Sequence, residues 1–295
     1  MAGVEAMGAV RTLLADGRRW HFQHGPIDLV IEAWGEDHAV AQAIESAWSR
    51  FESILEELVG ELPLLRAPIT ARGPMPAGPV ARRMWRAIRP HCPVFVTPMA
   101  AVAGAVADEV LTTMVAAAKL RRAYVNDGGD IALHLAPGES LQTGMVTDIA
   151  QPAIDGVSTI RYDDPVRGIA TSGRGGRSFS LGIADSVTVL AIDAAAADAA
   201  ATLIANEVDI AHRAVRRMPA RELDPDSDLG DRPVTVDVGE LDDASIRSAL
   251  NRGTSAAERM RRAGAIVAAF LTLRGGGRIV GGETQIARTR QKALA

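Results

Sequence analysis

From Asp37 onward the apolar positions keep helical spacing. Ala43, Ala47, Phe51, Leu55 and Leu58 fall on one stripe of DHAVAQAIESAWSRFESILEELVGEL, which predicts an amphipathic helix from Asp37 to Gly60. Before it, RRWHFQHG and IDLVIEAWG (Ile27 to Gly35) read as two strands joined at His24-Gly25-Pro26. After it, the Pro- and Gly-rich PLLRAPITARGPMPAGP reads as a loop, and VARRMWRAIRPH as a second helix with a solvated basic face. Residues 94–120 begin as a strand, VFVT, and become a helix of small residues with Gly104 inside it. A glycine among alanines on a helix marks close approach by another helix or by a ligand.

The middle of the chain reads strand, Gly-Gly-Asp turn, strand over 124–135, with a further strand near LQTGMVTDIA. A polar segment, RGIATSGRGGRSFSLGIADS, precedes the strand VTVLAI and an alanine-rich helix over 193–208. The acidic linker RRMPARELDPDSDLGDRPVTVDVG returns as a strand, and a short helix is expected around 240–262. AGAIVAAFLTL (263–273) suits a buried helix or strand, and the Gly-rich, then basic tail is expected to be loose over about 285–295. No repeat of solenoid period is visible. Strands and helices in mixed order, without regular βαβ alternation, predict an α+β fold.

Composition narrows the function classes. The chain has 295 residues and 47% hydrophobic content, enough for a sizeable core in a single domain spanning 1–295. Its net charge of −4 exerts no general pull on nucleic acid or an acidic membrane surface, so neither is expected as a partner. The lone cysteine, Cys92, can form no intrachain disulfide, which predicts a cytoplasmic protein. Cys92 beside His91 reads as a buried inert thiol in preference to a nucleophile. The N-terminus lacks the basic start and apolar run of a signal peptide. No apolar stretch is expected to approach the roughly 18 residues of a membrane helix, the longest candidate being AGAIVAAFLTL (263–273).

Four segments are small, polar-tipped and lined by glycine or alanine: AVAGAVAD (101–108), VNDGGDI (125–131), ATSGRGG (170–176) and AADAAAT (196–202). Such backbone lets a flat or phosphorylated ligand come close. In the second, Gly128 and Gly129 expose amides between Asn126 and Asp130, although Asp-Gly is equally the mark of a hairpin turn. Thr171, Ser172 and Gly173, with Arg174 and Arg177 beyond, suit phosphate oxygens; a basic loop is the alternative. Asp198 and Thr202, one helical turn apart, offer two hard oxygens to Mg²⁺ or simply decorate the helix. No phosphate-binding P-loop, dinucleotide fingerprint, serine-hydrolase turn or zinc spacing is present.

In this order the four segments resemble the ApbE superfamily, the FAD:protein FMN transferases. VNDGGDI matches its Gly-Gly-Asp turn, IATSG its Thr-Ser-Gly segment, and SVTVLAIDAAAADAAAT its strand and Asp-three-residues-Thr helix. AGAVAD matches its Lys-Gly-x-x-x-Asp helix at Gly104 and Asp108. The resemblance covers about residues 90–208. It implies a T-fold-related fold of two lobes, with mixed sheets and packed helices, and an FAD (or FMN) site between the lobes. Gly104, Asp108, Asn126, Gly128, Gly129, Asp130, Thr171, Ser172 and Gly173 would then bind the flavin nucleotide, and Asp198 and Thr202 would ligate Mg²⁺. An acceptor protein's threonine would attack the FMN-side phosphorus. Two departures alter that picture. The family lysine falls on Ala103, and its His-x-x-Asp-Pro segment is replaced by SFSLGIADS (178–186). The resemblance therefore implies retained ligand binding with reduced or altered chemistry, and assigns no catalytic residue. Three readings stay open: Mg²⁺-dependent FMN transfer or FAD pyrophosphate hydrolysis, a non-catalytic flavin- or pterin-binding module supporting coenzyme metabolism, and a scaffold. A homodimer is consistent with the small-residue helix and mildly apolar composition.

Overall fold

A computed structural model describes residues 8–70, 72–146, 154–176, 178–282 and 286–288. The chain runs β1 (Val10–Leu13), β2 (Trp20–His24), β3 (Ile27–Gly35), α1 (Asp37–Gly60), α2 (Leu62–Leu65), α3 (Pro79–Ile88) and α4 (Val102–Ala117). It continues through β4 (Leu120–Asp127), β5 (Asp130–Leu135), β6 (Ser140–Val146), β7 (Ile154–Arg161), β8 (Gly168–Ser172), β9 (Ser186–Ala191) and α5 (Ala194–Glu207). Last come β10 (Val215–Pro219), α6 (Ala220–Leu223), β11 (Pro233–Val238), α7 (Asp243–Arg262), β12 (Ala268–Leu273), β13 (Gly276–Val280) and β14 (Ile286–Arg288). The fold is α+β.

Nine strands form one sheet in the order β1-β2-β3-β4-β5-β8-β9-β12-β13, with antiparallel pairing throughout. The same plan occurs twice along it. β2 and β3 form a hairpin, α1 and α4 follow, and β4 and β5 return as a second hairpin. β8, β9, α5, α7, β12 and β13 repeat that sequence of elements. Each half buries its helices on one face of its four strands. Phe22, Leu29, Phe51, Met84 and Met114 fill the first core, and Val187, Val189, Ile204, Leu250 and Leu271 fill the second. The opposite face near the middle carries a smaller core of Leu133, Leu135, Ile160 and Phe270, under the β14-β7-β6 sheet.

Alternation explains the strand faces. In β3, Ile27, Leu29 and Ile31 point to the helices while Asp28, Val30 and Glu32 point away. The strand expected at VFVT does not form: a proline stands on each side, at Pro93 and Pro98, and Val94 is half exposed. The apolar-run reading also needs correction. Pro98–Ala117 is a 20-residue helical stretch of mean hydropathy 1.5, enough by length and composition to cross a membrane. Asp108 and Glu109 interrupt its apolar run. Half of it is buried within the protein, where Ala105, Val110 and Met114 join the first core. The expected loose tail lies outside the described residues except for β14.

Candidate functional site

The two halves meet where β5 pairs with β8, at Ile131↔Ile169 and Ala132↔Gly168, with the Leu133 N–H donating to Arg167 O at 2.8 Å beside them. Beyond Ile131 the strands part, and the β4–β5 turn stands at the opening. That turn is a two-residue hairpin closed by Asp127↔Asp130. Gly128 and Gly129 take φ of 62° and 115°, which side chains resist. The Asn126 side-chain oxygen accepts from the Gly129 N–H at 2.8 Å and fixes the turn. Across the opening, the Thr171 N–H donates to Asp130 Oδ1 at 3.3 Å. Thr171 shares a hydroxyl contact with Thr188 at 2.9 Å, while Ser172 Oγ accepts from Thr202 Oγ1 at 3.4 Å.

α5 enters from below. Asp193 caps it, accepting from the Ala196 N–H at 2.7 Å. Asp108, on α4, also accepts from this first turn, from the N–H groups of Ala194 (3.1 Å) and Ala195 (2.9 Å). In return Gly104 of α4 donates its N–H to Asp198 Oδ2 of α5 at 3.1 Å. Gly104 makes this contact close, and Gly168 of β8 brings the start of α5 equally close to the sheet. An added Cβ would lie 2.3 Å from Ala194 O at the first and 2.0 Å from Asp193 C at the second.

Electrostatically the floor of the opening is acidic. Burial pushes the Asp198 carboxyl well above its usual range, and Asp130, Asp127 and Asp108 add to that, against one N–H from Gly104. Burial, then Asp193, pushes Asp108 up to about 7. Both groups hold their protons more tightly folded than unfolded. They therefore favour the folded state as pH falls through their folded pKa toward the ordinary carboxylate range. The thermal midpoint of the ligand-free protein is expected to rise between pH 8 and pH 6.5, and Asp108→Asn should flatten that slope. His91, which burial pushes below its usual range, opposes the trend below that window. A midpoint that falls over the same interval would contradict the assignment.

These elements enclose a cleft of about 1140 Å³. One wall is aliphatic, from Leu55, Leu58, Leu62, Val102 and Val106; the other is the glycine and hydroxyl edge just described. Asn126, Gly128, Gly129, Asp130, Thr171, Ser172, Gly173, Asp198 and Thr202 all line it. Gly104 and Asp108 do not; they hold the start of α5. Arg174 is turned to Asp185 at 2.8 Å, and Arg177 lies outside the described residues. Asp28, Asp127, Thr188 and the aliphatic wall also line the cleft and were not read from the sequence. Asp127 was recoverable, since it sits inside the turn motif itself. Arg66 is the one cationic residue among the described lining, which includes no His, Lys, Cys or aromatic residue.

Among the described residues, no three His, Cys, Asp or Glu side chains gather at metal-ligand spacing. A dedicated protein cage for a metal is thus not built. What Asp198 and Thr202 do fit is a hard cation that completes its shell with ligand phosphate and water, the usual manner of Mg²⁺.

The SFSLGIADS segment packs against the far end of α5. The Ile183 N–H donates to Val208 O at 2.8 Å, and a Cβ on Gly182 would lie 2.1 Å from Ala205 O. Aligned on Asp185, the His-x-x-Asp spacing places its histidine at Gly182, where no side chain fits.

A family model described as AbpE bacteria matches residues 11–285. The chain belongs to this ApbE-like family. A UPF0280 protein of Methanosarcina acetivorans is 33% identical over 198 residues, covering 66% of this chain and 74% of the relative. A UPF0280 protein of Methanothermobacter thermautotrophicus is 35% identical over 150 residues, 48% of this chain and 51% of the relative. The chain thus spans about three quarters of the first and about half of the second. Among solved structures, the apo form of Pseudomonas stutzeri flavinyl transferase ApbE aligns over 93% of this chain and 94% of its own, with 12% identity and a TM-score of 0.46.

Proposed function

We propose that this ApbE-like protein binds a flavin dinucleotide, FAD, in the seam cleft, with Mg²⁺ carried between the ligand's pyrophosphate and the Asp198–Thr202 pair. The observation that carries this reading is the buried carboxylate of Asp198, surrounded by Asp127 and Asp130 at the glycine-lined edge of an otherwise aliphatic cleft. A pyrophosphate alone would be repelled there. A pyrophosphate bearing a divalent cation would be attracted, and the cation would polarise the phosphorus–oxygen bonds. The Gly129 backbone, with nothing within 4 Å of an added Cβ, leaves room for phosphate oxygens, and the Thr171 and Ser172 hydroxyls can donate to them. Leu55, Leu58, Val102 and Val106 would flank a flat ring and exclude water from it.

Transfer of FMN to a partner's hydroxyl, or hydrolysis, needs a group to take the proton. The histidine position is Gly182, so that duty would fall to a cleft carboxylate. The reading therefore puts binding first and chemistry second. A specific observation supports retained chemistry as the second reading: Asp130 lines the cleft and accepts from the Thr171 N–H, where a carboxylate could serve as the base.

FAD titrated into the protein with Mg²⁺ is expected to gain fluorescence. Extended binding would separate the adenine from the flavin, and the described cleft lining holds no Tyr or Trp to quench the ring. AMP measured in the same mixture decides between readings: binding with AMP release supports retained chemistry, and binding alone supports a carrier or sensor. Failure to bind FAD, FMN and pterins alike would overturn both.

A further inference from the structure

α4 and α5 are joined by three hydrogen bonds that run in both directions, with an unusual division of labour. On α4, Gly104 gives an N–H and Asp108, one turn later, gives a carboxylate. On α5, Ala194 and Ala195 give N–H groups and Asp198, one turn later, gives a carboxylate. Asp193 accepts only from the Ala196 N–H, and Asp108 takes the Ala194 and Ala195 N–H groups that this cap leaves free, from a different helix and beside a like charge. Asp108 is 8% exposed, so it is held there against both burial and like charge.

We propose that Asp108 is a positioning residue for Asp198. Clamped over the first turn of α5, its carboxylate sets how closely that helix meets α4. It thereby keeps Asp198 Oδ2 on the Gly104 N–H and leaves the other carboxylate oxygen for the ligand-bound cation. The glycine at position 104 is what lets the clamp close. Groups that orient a metal ligand in this way typically cost about 10- to 100-fold in metal affinity when removed. The inference rests on the reading of the cleft as a Mg²⁺–flavin dinucleotide site.

The test uses the full chain, with FAD and Mg²⁺ as probes. Asp108→Asn keeps the volume and one acceptor, and Asp108→Ser is the second variant should the first not fold. The apparent Mg²⁺ affinity in the presence of FAD, read by thermal shift, is expected to fall about tenfold or more. Asp242→Ala removes a cap from α7, where Asp242 accepts from the Ser245 N–H at 2.7 Å. It is expected to lower the melting temperature without moving the Mg²⁺ affinity. Amide exchange provides the second measurement: the Gly104 N–H, which does not touch Asp108, is expected to exchange faster in the Asp108 variants. In the wild type it should open together with the Ala194 and Ala195 amides. An unchanged Mg²⁺ affinity, or Gly104 exchange independent of those two amides, would overturn the positioning role. If the wild-type protein itself ignores Mg²⁺ and FAD, the functional reading fails, and the clamp is judged on amide exchange alone.

Discussion

Asparagine in place of Asp198 is expected to stabilise the ligand-free protein and to abolish its response to Mg²⁺. The carboxylate is buried, and the three acids acting on it all disfavour its charge. Removing the ionisable group, while keeping a side-chain oxygen for the Gly104 N–H, should raise the melting temperature, and more so at higher pH, where burial and the neighbouring acids oppose the carboxylate most. In the wild type with FAD, Mg²⁺ at a hundred times its Kd should add about 2.7 kcal/mol; in the variant it should add nothing. The opposition of the two effects is the informative part, because a residue kept only for stability would not be improved by its own removal. A variant that melts lower than wild type, or that still responds to Mg²⁺, would contradict the assignment.

The second large effect is steric. Gly104→Ala and Gly168→Ala would each drive a methyl into the backbone that opens α5, at 2.3 Å from Ala194 O and 2.0 Å from Asp193 C. These are main-chain atoms, so no rotamer change relieves the clash. We expect about 3 kcal/mol or more of destabilisation from each, at the upper end for overpacked sites. Gly129→Ala is the contrast, since nothing lies within 4 Å and only its φ of 115° is unfavourable. It should cost about 1 kcal/mol. Urea midpoints separate the cases: equal midpoints for Gly104→Ala and wild type would show that the helices are not in the contact described.

The legible parts of the fold were those whose pattern is local. The stripe of Ala43, Ala47, Phe51, Leu55 and Leu58 gave α1 its observed bounds, Asp37 to Gly60, and the Gly25-Pro26 turn gave the first hairpin. β8 was read as a polar segment because Thr171 and Ser172 dominate its sequence, while Ile169 and Ala170 bury it. β7 carries no clear alternation and was not foreseen. The polar edge of the cleft was legible for the opposite reason: glycines and hydroxyls have little other use in the middle of a sheet. The aliphatic wall was not, since Leu55 and Leu58 carry the same periodicity whether they face a core or a ligand. Gly104 and Asp108 were found as a pair, but spacing alone could not tell a residue that touches a ligand from one that holds the helix beneath it.

The doubled plan of the sheet bears on where a site could arise at all. The β12–β13 corner, at Arg274 and Gly275, is the counterpart of the Gly128–Gly129 corner, and it too bends through positive φ. Yet β13 is the last strand of the sheet, so that corner has no neighbouring strand to face. The inner corner faces β8, the first strand of the second half, because the two halves lie side by side in one sheet. The wall opposite the inner corner is therefore supplied by the same polypeptide, whereas the outer corner has no strand to work against.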